Sequence, residues 1–229
     1  MGTSAIQSVL STACPRVSTL LAAAAISLIC GPILLFVEFQ WLAPKEAFLR
    51  DPLAAAAEFG GYKVYYGAVS LLGSMFWSAA AAISLLTYAI VRVFAPSGSN
   101  AHYLLLGGLL SLALCFDDTF MLHELVFPRL GIDERFVMAT IVLLTCIYLW
   151  SLRALLNRRI MLLLAFSLCC LGLSMGVDVF FVVPHMVEDG FKFIGIVSWM
   201  VFHFCLAIDE IYFTVGVRDN SRVDGSGLV

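Results

Sequence analysis

Two adjacent carboxylates, Asp117 and Asp118, interrupt the apolar run LLLGGLLSLALCFDDTFMLHELVF, which is long enough to cross a bilayer. Ionisable side chains also interrupt two later apolar runs, at Asp178, His203, Asp209 and Glu210. An ionised Asp at the centre of a membrane helix costs roughly 2.5 to 3.5 kcal/mol, so such groups are expected to be paired, hydrated or bound to a metal. These residues are therefore the first candidates for chemistry.

Carboxylates and imidazoles that meet in a dry cavity are ligands that divalent cations such as zinc, iron and manganese accept. A helix rises about 1.5 Å per residue, which places Asp117, Asp178 and His203 about 12, 8 and 15 Å below the non-cytoplasmic surface. The sequence therefore predicts a divalent-metal site whose catalytic ligands are Asp117 or Asp118, Asp178 and His203. Further ligands are predicted at the mouth of the same site: His123, Glu124, His185 and Glu188.

A metal with one open coordination position can activate water or oxygen against a lipid head group or acyl chain. The first functional prediction is accordingly a membrane-embedded enzyme that acts on a lipid or another apolar substrate. The second is a proton- or ion-coupled transporter or channel, because acid pairs recur in two spans, in FDDTF and in IDEIYF with Asp209 and Glu210, and these pairs together with His203 could mark a path. The third is a non-catalytic subunit, in which His123 and His185 could bracket a haem.

Each of these polar residues also has a structural interpretation. Asp117 and Asp118 point about 100° apart on a helix, so only one is expected to face a given cavity while the other caps a helix end or bonds a hydroxyl. His203 could be a hydrogen-bonded core residue. Glu188 and Lys192, four positions apart, have the spacing of a surface ion pair.

The composition defines the surroundings of these groups: 62% of the residues are hydrophobic, 13% are charged, and the mean hydropathy is +0.99. Soluble domains carry about 25% charged residues, so the chain is predicted to be an integral membrane protein. A span needs about 20 mainly apolar residues, and six segments qualify. The predicted all-α bundle of six transmembrane helices comprises Val17 to Val37, Tyr65 to Phe94, His102 to Leu125, Phe136 to Leu156, Ile160 to Val183 and Phe193 to Val217.

With six spans, the two termini lie on the same side of the membrane. The densest group of basic residues, between Arg153 and Arg159, favours the cytoplasm for that side and a plasma-membrane location. The chain then divides into a short cytoplasmic segment (1–16), a membrane domain (17–217) with an extracytoplasmic loop at about 38–64, and a disordered tail (218–229). The loop is predicted to hold a short interfacial helix from Pro52 to Phe59 that caps a site on its face.

Helical spacing predicts which polar residues share a face, because positions seven apart point in nearly the same direction. Asp117 shares a stripe with Glu124, and Asp178 shares one with His185. The last span carries a seam that faces other helices rather than lipid, formed by Lys192, Ile196, Trp199, His203, Leu206 and Glu210. The predicted partners are membrane lipids and either a second copy or other subunits of a membrane complex. The net charge of -3 argues against nucleic acid.

Overall fold

The chain is helical throughout the residues that the computed structural model describes, which are 19–94, 101–155, 160–180 and 185–225, and these residues contain no strand. Five helices in these ranges are long and apolar enough to cross a membrane. They are α1 (Thr19–Phe39), α4 (Ala68–Phe94), α5 (His102–Phe120), α7 (Glu134–Ser151) and α9 (His185–Gly225). Their length and composition indicate a membrane protein, as the sequence predicts.

Shorter helices connect these five. α2 (Glu46–Leu49) and α3 (Pro52–Phe59) lie between α1 and α4, and α6 (Phe127–Arg129) lies between α5 and α7. A further apolar helix, α8 (Met161–Phe180), precedes α9, and its stretch Met161–Gly176 is shorter than the candidate spans. Five of the six predicted spans thus reach membrane length in the described residues, and the six-helix bundle is not confirmed.

The last helix forms the core of the bundle. α9 packs against α8, α4 and α1, and α4 packs in turn against α5. The predicted seam of α9 is confirmed from its second position onward, since Ile196, Trp199, His203, Leu206 and Glu210 are each at most 8% exposed. This face of α9 is therefore enclosed by protein, as expected for the side of a membrane helix that carries polar residues.

Glycine permits a close approach between α5 and the core. A Cβ atom at Gly107 would lie 2.9 Å from both His203 Nε2 and the Tyr148 hydroxyl oxygen. Helices in a membrane associate through close packing rather than through the hydrophobic effect, so small residues occupy such contacts. Gly107 therefore sets the distance between α5, α7 and α9.

α5 ends before the predicted position. The sequence predicts a helix to Leu125, but α5 stops just before Met121, which adopts a left-handed conformation with φ 50° and ψ 47°. A single π-helical turn, Leu122–Val126, follows. Asp117 therefore lies about 4.5 Å from the end of the helix instead of about 12 Å. The stripe predicted for Asp117 and Glu124 is wrong, because the helix does not continue between them.

The segment between α1 and α4 folds over one end of the bundle. The short helix predicted there is confirmed as α3, and Asp51 just before it accepts a hydrogen bond from the Ser70 hydroxyl of α4. Gly67 has φ 69°, and a Cβ atom there would overlap Pro52, so only glycine fits between the loop and α4. We call this end of the bundle, where α1 and α5 end and α4, α7 and α9 begin, the capped end.

At the opposite end, the structure carries α9 as far as Gly225, into the segment 218–229 that is predicted to be a disordered tail. The helix thus continues past its apolar part, which ends at Thr214. The rest of that tail and the predicted N-terminal segment 1–16 lie outside the described residues.

We expect Gly107→Ala to lower the melting temperature of the purified protein, because the added methyl group must displace the ring of His203 or Tyr148. Overpacking of this kind costs about 1 to 3 kcal/mol, which exceeds the gain of up to about 1 kcal/mol from replacing a helical glycine. Gly172→Ala in α8 is the matched control, since nothing lies within 4 Å of a Cβ atom there. Equal melting temperatures for the two variants in detergent would contradict this packing.

Candidate functional site

Asp118 connects three helices at the capped end. Its Oδ2 accepts the indole N–H of Trp77 from α4 at 2.8 Å, and its Oδ1 lies 3.1 Å from Lys192 Nζ of α9. The carboxylate side chain is only 11% exposed, so both of its oxygens are satisfied by the protein rather than by water. The sequence analysis pairs Lys192 with Glu188, and no described contact tests that pairing. The ion pair with Asp118 joins the Lys192 ammonium of α9 to α5.

Asp117 stabilises the turn that follows α5. Its Oδ1 accepts the backbone N–H of His123 at 3.0 Å, and its Oδ2 lies 2.7 Å from His123 Nδ1. The hydrogen bond to Asp117 raises the pKa of His123, against the opposing effect of burial. The second ring nitrogen, Nε2, lies 3.5 Å from Glu124 Oε1. Asp117 thus has a structural role, as the sequence analysis considers for one member of the acid pair. The His123 ring, a predicted metal or haem ligand, already contacts Asp117 through Nδ1.

A cavity of about 290 Å³ opens at the capped end, between the α2–α3 loop and the first turns of α4 and α9. Six carboxylate side chains line it: Asp51, Asp118, Glu124, Glu134, Glu188 and Asp189. Two basic side chains also line it, Lys192 and Arg50, and Arg50 pairs with Glu58 of α3. Asp118 lines this cavity and the adjacent Asp117 does not, as expected for two side chains that point about 100° apart on a helix. The cavity therefore carries an excess of negative charge.

His203 lies in an aromatic pocket deeper in the bundle. Its Nδ1 is 2.9 Å from the Trp199 carbonyl oxygen, which can only accept, so Nδ1 carries a proton. Its Nε2 is 3.1 Å from the Tyr148 hydroxyl, which donates to it. The rings of Tyr148, Trp199 and Phe202 surround the imidazole. His203 is therefore a fully hydrogen-bonded core residue in this structure.

The predicted metal ligands do not form a metal-binding group among the described residues. His203 lies eleven positions beyond Lys192 on α9, which separates it from the level of Asp118 by about 16 Å along the helix axis. No group of three or more His, Cys, Asp or Glu side chains in the described ranges is placed to hold a metal ion. Asp178 lies in α8 and His185 begins α9, but both side chains fall outside the described part of the structure. The described residues therefore do not support a metal centre.

The remaining predicted site residues divide between the two ends of α9. Glu124 and Glu188 line the cavity at the capped end, where the mouth of the site is predicted. Glu210 is 8% exposed and lies on the buried seam, about 10 Å beyond His203, and Asp209 precedes it in the chain. The acids of α9 are therefore spread along the helix and do not form one centre.

Two residues of the site were missed by the sequence analysis: Lys192 as a partner of Asp118, and Trp77 as a donor to it. Lys192 gave a signal, because it is the first member of the α9 seam and a seam residue faces protein. Trp77 gave none, since an indole inside an apolar run is equally typical of an aromatic residue that only packs in the core. The contact joins residues 41 positions apart, which only the packing of α4 on α5 reveals.

We expect Asp118→Asn and Lys192→Met each to lower stability by about 1 to 3 kcal/mol, because each leaves a partly buried charge without its partner. The variant that carries both substitutions should lose less stability than the sum of the two single losses, by about 1 kcal/mol or more. The exposed pair Lys45–Glu38, with side chains 39% and 42% exposed, is the control, and its coupling should be at most about 1 kcal/mol. Chemical denaturation in detergent measures both cycles, and additive losses at Asp118 and Lys192 would contradict the pair.

A second expectation concerns pH. Because Asp117 raises the pKa of His123 above its ordinary value of about 6.5, the pair contributes its full stability at lower pH and loses it as the pH rises through the raised pKa. His123→Gln should therefore cost about 1 to 2 kcal/mol near pH 6 and less near pH 9. Melting temperatures of wild type and variant across this range test the sign, with His102→Gln at an exposed position as the control for loss of an imidazole. A difference in melting temperature between wild type and His123→Gln that grows as the pH rises would contradict this expectation.

Comparison with known proteins gives a family and no further neighbour. No curated protein and no solved structure matches the chain. Residues 19–206 match the family described as Domain of unknown function (DUF8692), a match that runs from the start of α1 to the buried seam of α9 and includes the whole capped end. The chain belongs to this family.

Proposed function

We propose that this protein is a six-span transporter or channel of the plasma membrane, with both termini in the cytoplasm, and that the cavity at its capped end binds cations. The observation that carries the proposal is the charge of that cavity, where six carboxylates and two basic side chains surround about 290 Å³. A cleft lined by one sign of charge and walled by low-dielectric protein concentrates ions of the opposite sign. The site would therefore collect cations at the membrane surface.

The proposed six-span topology would place all parts of this cavity on one face of the membrane. If α8 crosses the membrane together with the five longer helices, the ends of α1, α5 and α8 and the beginnings of α4, α7 and α9 share the side opposite the termini. The 20 residues of α8 would extend over about 30 Å, the thickness of the hydrocarbon core. The basic segment between Arg153 and Arg159 then lies in the cytoplasm, which favours an extracytoplasmic cavity.

Transport is favoured over the metal-dependent enzyme that the sequence analysis puts first. A metal-dependent reaction needs convergent ligands, and the described residues contain no group of three or more that could hold a metal ion. Transport needs only that a cation be attracted and released. The acids of the cavity meet the first requirement, and Lys192 offers a means for the second, because its ammonium can return to Asp118 when the cation leaves.

The buried seam of α9 connects the cavity to the opposite face. Lys192 opens the seam at the capped end and Glu210 lies on it about 27 Å further on, near the cytoplasmic boundary of the proposed topology. Between them the aromatic side chains of Trp199, Phe202 and Tyr148 fill the bundle. On this proposal, the cavity is open at the capped end, and the aromatic layer closes it toward the opposite face.

Cation binding to the protein in lipid nanodiscs tests this proposal directly. Neutralisation of two cavity acids in the variant Glu124→Gln/Glu188→Gln should weaken cation binding tenfold or more, because each substitution removes one attractive charge from the cavity. Glu38→Gln, outside the cavity lining, is the control and should bind as the wild type does. Calorimetry gives the affinities, and flux into proteoliposomes shows whether the bound ion crosses. Binding that is unchanged by the double substitution would overturn the proposal.

A further inference from the structure

We infer that the capping segment, residues 40–67 between α1 and α4, docks on the head-group layer of the bilayer through an apolar outer surface that begins at the end of α1. Five large side chains on this surface are between 63% and 91% exposed: Phe39, Trp41, Leu42, Tyr62 and Val64. Single exposed apolar side chains are normal in a protein, but a group of this size indicates contact with another apolar surface. The inference concerns a lipid contact and does not depend on what the cavity binds.

The outer surface continues the face that α1 presents to lipid. α1 is long and apolar enough to cross a membrane, and Leu35 and Phe36 near its end are both more than half exposed. Trp41 and Leu42 follow closely after the helix ends at Phe39. Because a span leaves the hydrocarbon core where its apolar helix ends, these residues lie at the level of the lipid head groups.

Charged side chains lie at the same level as the exposed rings. Lys45 pairs with Glu38 in the last turn of α1, and both side chains are partly exposed. Lys63 is also exposed and lies between Tyr62 and Val64 in the chain. The head-group layer accepts both indole or phenol rings and ammonium groups, whereas hydrocarbon accepts an ammonium group only at high cost. The mixture therefore favours the head-group layer over the hydrocarbon core.

Ring contacts join the two parts of the outer surface. Phe36 of α1 contacts Phe48 of α2 edge to face, with ring centroids 6.1 Å apart, and Phe48 stacks on Tyr65 at 5.1 Å. Tyr62 and Val64, which lie just before Tyr65 in the chain, are therefore carried on the same packed unit as the end of α1.

The turn that presents Trp41 is held by the side chain of Gln40. Gln40 Oε1 accepts the backbone N–H groups of Leu42 at 2.7 Å and Ala43 at 3.2 Å, and Gln40 Nε2 donates to the Ala43 carbonyl oxygen at 2.8 Å. Backbone groups without partners are costly where water is scarce. These hydrogen bonds therefore suit a turn that lies against lipid.

A second copy of the chain is the alternative cover for this surface. Trp and Tyr are enriched at protein interfaces as well as at membrane interfaces, so the aromatic residues alone do not decide. Lys and Glu are depleted at protein interfaces, however, and Glu38, Lys45 and Lys63 lie among the exposed rings. Together with the continuity with α1, these charges favour lipid.

Fluorescence quenching in lipid nanodiscs tests the contact. Of the four tryptophans, Trp77 and Trp199 are at most 3% exposed, so Trp150→Phe leaves Trp41 as the exposed indole. A nitroxide on the lipid head group should quench Trp41 about twofold more strongly than a nitroxide at the end of the acyl chain, because indoles collect at the interface. Trp41→Phe in the Trp150→Phe background is the control and should lose this difference.

Acrylamide in the aqueous phase completes the test. Quenching by acrylamide without a response to either lipid probe would show that the surface lies in water and would overturn the inference. Stronger quenching by the chain-end probe would overturn it as well, since Trp41 would then lie in hydrocarbon. Protection from all three quenchers would show that protein covers Trp41, and a second copy would replace lipid as the partner. If Trp150→Phe does not fold, the difference between wild type and Trp41→Phe gives the same measurement.

Discussion

An ionised carboxylate in an apolar bundle must find partners within the protein, and the structure around Asp118 follows from this constraint. Two unrelated donors, the indole of Trp77 and the ammonium of Lys192, reach it from α4 and α9. Loss of either partner would leave a charge that water compensates only in part. The same contact therefore holds three helices together and fixes the position of the cavity, whose other acids lie on loops and helix ends around it.

The interior below Asp118 is organised by uncharged hydrogen bonds and ring contacts. Trp77 packs on Trp199, whose indole N–H donates to the Ser111 hydroxyl, while Tyr148 and His203 pair beside Gly107. These polar atoms are satisfied within the protein, as the hydrocarbon surroundings require. An indole nitrogen can donate but cannot accept, so Trp77 and Trp199 position side chains in this network and cannot relay a proton.

Periodicity and composition were sufficient to predict the helical class, five of the membrane-length helices, α3 in the loop and most of the buried seam of α9. They were insufficient where a local contact overrides the pattern, as at Met121, where the carboxylate of Asp117 and a left-handed residue end α5 early. The depth of Asp117 was estimated from a helix end at Leu125. Because α5 ends earlier, that depth was wrong, and so was the position of Asp117 in the predicted metal site. The pairing of Asp118 with Lys192 was also out of reach, since hydropathy does not encode which helices are neighbours.

The adjacent acids of α5 show why the two functions of this region can be separated. Asp117 points into the turn and holds His123, while Asp118 points into the cavity and holds Lys192. Because the two side chains diverge by about 100°, the proposed cation site requires only the ion pair of Asp118 to open and not the turn that places Glu124 at the rim. On that proposal, one dipeptide combines a fixed structural anchor with an exchangeable charge. A cation site in a small bundle needs both, since the helix that presents the exchangeable carboxylate must itself remain in place.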